Sequence, residues 1–489
     1  MDLSTNRPLG ERTTVLDIAD RDTLDNTLFP LEASETYFTR DQQRRILPFT
    51  PVIQEFPVKG QASFGGRVVF EIDSTQCGDL LVGLMVQLKL GSWLSPDVVA
   101  YLQSGTYNYQ TPDGAFYYAN SLGTTLFSYA EFQLNDQLIE RIEDPFFHVY
   151  SLLYPDINHQ FAVGTYAYGN YSIPTLRAWD SKQVYPTCDG MISCVLPFHF
   201  LRTPMKSGFP LLSVKDGNLR LVLQIRPFEE LVRKRGGSRV SCDETPLSKE
   251  VKYWDTSVPW YPGLEVVRPT DAVPPAFQDF RLVTYGMLTD GKFRNALLRA
   301  PFQRMYRSIV QFNFAEPLKY VVNKTSNDVI HLVLPLELNH PVEEIFWVLR
   351  RKAVNLNNEW TNFSGVLEKE YNAVYNPLEG MCVHAALQAN GSTLVEDNGD
   401  YFRRVVNERH KGGIISYNSF IYGYCFALHP DKHNPSGWLN ASRTNDMRLR
   451  LSVKPPGGAE DLEWEVFVFA STLQWIRFEN GIANKLFSS

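Results

Sequence analysis

Charge is scarce in this sequence. Asp, Glu, Lys and Arg make up 21% of 489 residues, too little for a coiled coil or a disordered chain, both of which need a charged exterior. Neither sign dominates: Lys and Arg total 47 against 54 for Asp and Glu, a net charge of −7. The basic clusters are short, Arg40 to Arg45 and Arg233-Lys234-Arg235. A protein that coats nucleic acid carries a basic arm or stripe, so these read as solvated loops and direct nucleic-acid binding is not expected.

Cysteine is also sparse. Cys77, Cys188, Cys194, Cys242, Cys382 and Cys425 are scattered with no CxxC pair, which indicates neither a zinc site nor a disulfide framework. Cys194, Cys382 and Cys425 lie in apolar text and read as small buried hydrophobes. No apolar run reaches the roughly 18 residues of a membrane span. The start, MDLSTNRPLGERTT, lacks an apolar signal region, so a soluble chain in a reducing compartment is expected.

Catalytic signatures are missing as well: no GxSxG elbow, phosphate-binding loop or HExxH occurs. His429 and His433 are four apart, but Pro430 and Pro435 prevent a helical pair. Glu343 and Glu344 are neighbours on a strand, so their carboxylates point to opposite faces and form no acid/base pair. The expectation is no enzyme, no metal and no cofactor. Five Asn-x-Ser/Thr sequons, at Asn170, Asn323, Asn362, Asn390 and Asn440, read as turn residues.

Aromatics are plentiful at 13%, which suits sheets packed face to face. The most informative stretch is Asn418 to Val453. An apolar run, Phe420 to Leu428, reads as a strand. A loop carrying His-Pro, Asn-Pro, Ser-Gly and Asn-Ala-Ser follows, and Met447 to Leu451 then alternates apolar and charged as a half-buried strand does. An earlier stretch repeats it. SGFPLLSVKDGNLRLVL from Ser207 matches SGWLNASRTNDMRLRL from Ser436. A second pair, Ala130 to Asn135 and Ala385 to Asn390, each has an apolar residue four places after the Asn, Ile139 or Leu394. Two matches in the same order indicate one all-β unit present twice.

In chain order, residues 1–48 are polar and read as an arm. Residues 49–290 hold strands separated by long Tyr-, Gly- and Asn-rich loops, with a short helix over Asp144 to Tyr154. Residues 291–304 read as a linker with one helix over Lys292 to Ala300. Residues 305–489 repeat the strand-rich pattern, and Leu211 to Val214 and Phe402 to Val406 are both read as strands. The fold class expected is all-β: two tandem eight-stranded antiparallel jelly rolls with long loops and a few short helices.

The second unit carries phrases of a known family. Asn339-His340-Pro341-Val342-Glu343-Glu344-Ile345-Phe346-Trp347-Val348 resembles a segment of the major capsid proteins of nucleocytoplasmic large DNA viruses, the iridovirus and chlorella virus type. The corner Pro435-Ser436-Gly437 with Asn440-Ala441-Ser442-Arg443 resembles that family's next phrase. In the first unit Phe64-Gly65-Gly66, Gly78-Asp79-Leu80, Leu196-Pro197-Phe198 and Leu288-Thr289-Asp290 fall in the family's order. The segment Thr36-Tyr37-Phe38 only partly echoes the family's opening.

The resemblance implies a double jelly-roll subunit of a virion, and Asn339, His340, Pro341, Trp347, Pro435, Ser436, Gly437, Asn440, Ser442 and Arg443 as its structural motif. It also implies a homotrimer of six-sided outline, because each copy supplies two similar barrels, and trimers that meet neighbouring capsomers in an icosahedral shell. Minor capsid proteins and a membrane layer beneath the shell would be partners of the polar arm, with assembly in the host cytoplasm. A transient assembly scaffold with the same double barrel is one alternative. A carbohydrate-binding jelly roll is another.

Overall fold

Strand periodicity decides this fold, and hairpin turns fix its register. The computed structural model describes residues 49–90, 116–155 except 120, 191–234 except 203–207 and 215–216, 276–352 except 300 and 317–328, 354, 358–366, 379–410, 420–454 except 433, and 464–486 except 480. Residues 1–48 and the loop readings at 91–115, 156–190 and 235–275 lie outside them.

In the first half one antiparallel sheet runs β1 (Phe49–Pro57), β11 (Phe277–Thr289), β3 (Leu80–Leu90), β7 (Met191–Val195), with β8 (Phe209–Pro210) also on β3. The other runs β2 (Arg67–Ile72), β9 (Leu219–Ile225), β5 (Phe127–Leu134), β6 (Gln137–Glu143). Phe70 of β2 stacks on Phe280 of β11 at 5.9 Å, and apolar residues of both sheets share one core. A small ribbon pairs β4 (Phe116–Tyr118) with β10 (Val232–Lys234).

The second half repeats this order. One sheet runs β12 (Phe302–Glu316), β20 (Trp464–Glu479), β14 (Pro341–Arg351), β17 (Tyr422–Cys425), with β18 (Leu439–Asn440) on β14 and β21 (Ile482–Lys485) on β20. The other runs β13 (Ile330–Pro335), β19 (Met447–Val453), β15 (Cys382–Ala389), β16 (Ser392–Asn398). Apart from β21, each strand takes the place of a counterpart in the first half.

The repeat extends to single residues. The β5–β6 hairpin turns on Asn135 and Asp136, at φ 50° and 61°, and the β15–β16 hairpin on Asn390 and Gly391, at φ 50° and 79°. Positive φ at both positions matches the right-handed twist of the strands. Each Asn also ties its hairpin to the neighbouring strand. The Asn135 side-chain oxygen accepts from Asn218 N at 2.7 Å, and that of Asn390 from Asn445 N at 2.9 Å. The hairpins share a register shift two residues before the Asn, at Gln133 and at Gln388.

Among the described residues five α-helices punctuate the sheets: α1 (Leu122–Thr125), α2 (Phe146–Leu153), α3 (His199–Arg202), α4 (Gly291–Arg299) and α5 (Gly399–Arg409). α4 joins the halves, close to the expected linker helix. α5 corrects the reading of residues 402–406 as a strand. Asn398 caps it by accepting from Tyr401 N at 2.9 Å, and Phe402 and Val406, four apart, form its buried stripe. Leu211–Val214 is a 3-10 turn rather than a strand. The run from Phe420 to Leu428 narrows to Tyr422–Cys425, because residues 426–428 bend into the corner.

Strand β14 is buried along nearly its whole length. Its inward residue Trp347 packs on Phe402 at 5.3 Å. Its outward residue Phe346 meets Phe146 of α2 at 6.2 Å. The first half therefore covers the outer face of the second half's sheet. Phe49–Ser489 cluster as one compact unit.

Candidate functional site

The motif residues fall into two places. Asn339, His340 and Pro341 lead into β14, and the Asn440 corner pairs with the same strand end, Pro341 opposite Asn440 and Val342 opposite Leu439. The Asn440 side chain accepts from Ser442 N at 3.2 Å and from the Ser442 hydroxyl at 2.5 Å. Ser436 Oγ accepts from His429 N at 2.7 Å. Gly437 sits at φ 144°, and a Cβ there would meet the Phe426 carbonyl at 2.8 Å, so a side chain is strained at this position. Pro435 is half-buried and Arg443 is exposed. Burial holds the His340 imidazole below its ordinary pKa, and nearby Lys485 adds to this. Trp347 lies apart in the core. These groups brace turns, and among the described residues no nucleophile or acid/base pair converges on them.

The sequons behave alike. Asn362 Oδ1 accepts from Ser364 N at 3.0 Å, and Asn390 and Asn440 fix turns as described. Asn170 and Asn323 lie outside the described residues.

The densest chemistry sits where the halves meet. Asp144, just before α2, is buried between two guanidiniums, Arg350 Nη1 at 2.6 Å and Arg226 Nη2 at 2.9 Å. Arg226 also lies over the Trp360 ring at 3.8 Å, and Trp360 Nε1 donates to Glu230 O at 2.8 Å. Burial alone would raise the Asp144 pKa, but Arg350 and then Arg226 outweigh it, so the carboxyl titrates below its ordinary value.

A second node holds Glu140 against Arg202 and His199, with His199 N at 2.8 Å and Nδ1 at 3.0 Å. Arg202 Nη2 reaches across to Arg307 O at 2.7 Å, and Arg307 pairs with Glu343. Burial is the largest influence on Glu140, yet Arg202 and His199 bring its pKa down. Burial lowers His199 despite Glu140. It raises Glu343 more than Arg307 lowers it.

At a third node Glu344 accepts from Tyr154 OH at 3.1 Å and lies 2.6 Å from His410 Nε2 and 3.7 Å from Cys425 Sγ. Glu343 and Glu344 thus serve different partners, as their adjacency on a strand requires. Glu, His and Cys are zinc-type ligands. However, the 2.6 Å separation is a hydrogen bond, whereas two ligands flanking a cation at about 2.0–2.1 Å stand further apart. Burial and then Glu344 keep the Cys425 thiol well above its ordinary pKa, hence protonated. The cluster is held by hydrogen bonds.

Sequence reading did not single out Asp144, Arg226, Arg350, Glu140 or His410. The available signal was four charges, Glu343, Glu344, Arg350 and Arg351, inside an apolar strand, which can be buried only with partners.

Against known proteins, residues 302–484 match the family model described as large eukaryotic DNA virus major capsid protein. No curated protein matches the sequence. The fold is similar to VP54 of PBCV-1, at TM-score 0.66 and 16% identity over 93% of this chain and 100% of that one. It is also similar to the Faustovirus major capsid protein, at TM-score 0.57 and 12% identity over 96% and 97% of the two chains. The architecture is therefore the double jelly roll of viral capsid proteins. The family match lies in the second barrel, and the fold of the whole chain is similar to that of these capsid proteins.

Proposed function

We propose that this chain is the shell-building subunit of a large DNA virus, working as a homotrimer whose six barrels give a capsomer of pseudo-hexagonal outline. The observation that carries this is the residue-level repeat: two barrels of the same strand order and the same Asn-anchored hairpins in one chain. A threefold ring of such chains presents six near-equivalent barrels, and a symmetric ring can tile a closed shell. The role is geometric and needs no reacting group. The reading divides the chain into a first barrel over residues 49–290, a linker over 291–304 and a second barrel over 305–489, with β12 starting inside that linker at Phe302. In the shell the trimer meets neighbouring capsomers. The arm, residues 1–48, faces minor capsid proteins or a membrane layer beneath, and assembly takes place in the host cytoplasm. Light scattering of the purified chain tests the reading. The expected mass is that of three 55.9 kDa chains, with six-lobed particles by electron microscopy. A monomer at every concentration overturns it.

A further inference from the structure

The internal repeat identifies surfaces that meet inside the chain once and are left over once. In the first barrel Leu81, next to the bulge at Val82, pairs with Phe209, and in the second Val342, next to the bulge at Glu343, pairs with Leu439, so Phe209 corresponds to Leu439 and the preceding Gly208 to Trp438. Leu81 lies beside Gly286 and, beyond it, Val52. Val342 lies beside Thr472 and, beyond it, Ser308. Val52 and Ser308 therefore correspond, and three residues earlier so do Phe49 and Met305.

Inside the chain the stretches that hold Gly208 and Met305 come together, with Arg304 donating to the Gly208 carbonyl and Met305 lining a cavity with Phe209. Phe209 packs on Phe478 of the second barrel at 5.7 Å. Tyr306 packs on His199 of the first at 4.8 Å, and His199 lies 6.2 Å from Phe209. Phe209 and Tyr306 line one small cavity and are 1% and 6% exposed. The residues that take the places of Gly208 and Met305 at the other ends of the repeat are open, Trp438 at 55% and Phe49 at 51%, flanked by Leu428 at 60% and Ile53 at 62%.

We infer that Trp438 of one copy is buried against Phe49 of the next, a contact between copies that repeats the one the Gly208 and Met305 stretches make within the chain. The occupant of each surface is a second copy, because the repeat has already built matching partners for both. A head-to-tail contact of this kind closes into a ring when its rotation closes, and Trp is the residue type most often found to anchor interfaces. The inference rests on the trimeric reading above and adds the contact that seals it.

The test uses the full chain carrying Trp438→Cys and Phe49→Cys together, treated with a short bismaleimide. Covalent dimers and trimers are expected on denaturing gels, and neither single variant should give them. Separately, Trp438→Asp should fold with a cooperative melt yet need at least tenfold more protein to form trimers. A wild-type trimer with no cross-link and unchanged assembly of Trp438→Asp overturns the contact and leaves the trimer standing. A monomeric wild type overturns both.

Discussion

Asp144 carries more of this structure than any motif residue. It holds a guanidinium from each half, Arg226 and Arg350, in a dry setting. Removing one partner of such a pair strands the others, at about 3–5 kcal/mol. The joint also sets the response to acid. Asp144, Glu140 and Glu344 are all depressed in the folded chain. Their contribution is complete above the unfolded values near pH 4 and is lost as pH falls through the folded values. His199 is depressed too, so it begins to cost stability once the unfolded chain protonates below about pH 6.5. Glu343, raised by burial, runs the opposite way. Thermal melting from pH 8 to 3 should therefore show a shallow loss and then a steep one. Asp144→Asn should lower stability at pH 7 and flatten the steep limb. Parallel wild-type and variant curves would remove Asp144 from this role.

At the scale of elements, the two hairpins make the repeat measurable. Asn135 and Asn390 each accept a bond from the strand that follows their barrel's corner, and each sits at φ 50°. Replacement by Ala loses that bond and leaves a Cβ in the left-handed region, together about 1–2 kcal/mol. Urea unfolding should give similar losses for Asn135→Ala and Asn390→Ala, and the double variant should show their sum, since the sites share no partner. Unequal losses would mean that the barrels are braced differently. Strands with clear alternation, such as Met447–Val453, were legible in the sequence because period two survives in a half-buried sheet. β6 and β16 were not anticipated, because QLIERIE and STLVEDN are too polar to announce a strand. Residues 402–406 were misread because an apolar pair four apart is helical spacing that a short window hides. The charged joint was illegible because its partners lie far apart in sequence, 206 residues in the case of Asp144 and Arg350.

The molecule as a whole behaves as two barrels that need each other. The outer face of β14 and β20 is lined by Phe346, Phe469 and Arg350, and α2 of the first barrel covers it through Phe146, 5.6 Å from Phe469. Without the first barrel this face would expose aromatic rings beside Glu344 and Arg350, which would no longer meet Tyr154 and Asp144 across the joint. A contiguous apolar patch of this kind drives association. The first barrel alone would leave Asp144 and the buried Arg226 without Arg350 and Trp360. Residues 301–489 expressed alone should therefore aggregate or lack a cooperative melt, while co-expression with residues 49–300 should recover a soluble one-to-one complex. If the lone second barrel proved monodisperse and melted cooperatively, the joint would be a contact between finished domains. The two barrels could then still move against one another. The buried charges argue for the opposite, a rigid pair that presents fixed faces to its neighbours.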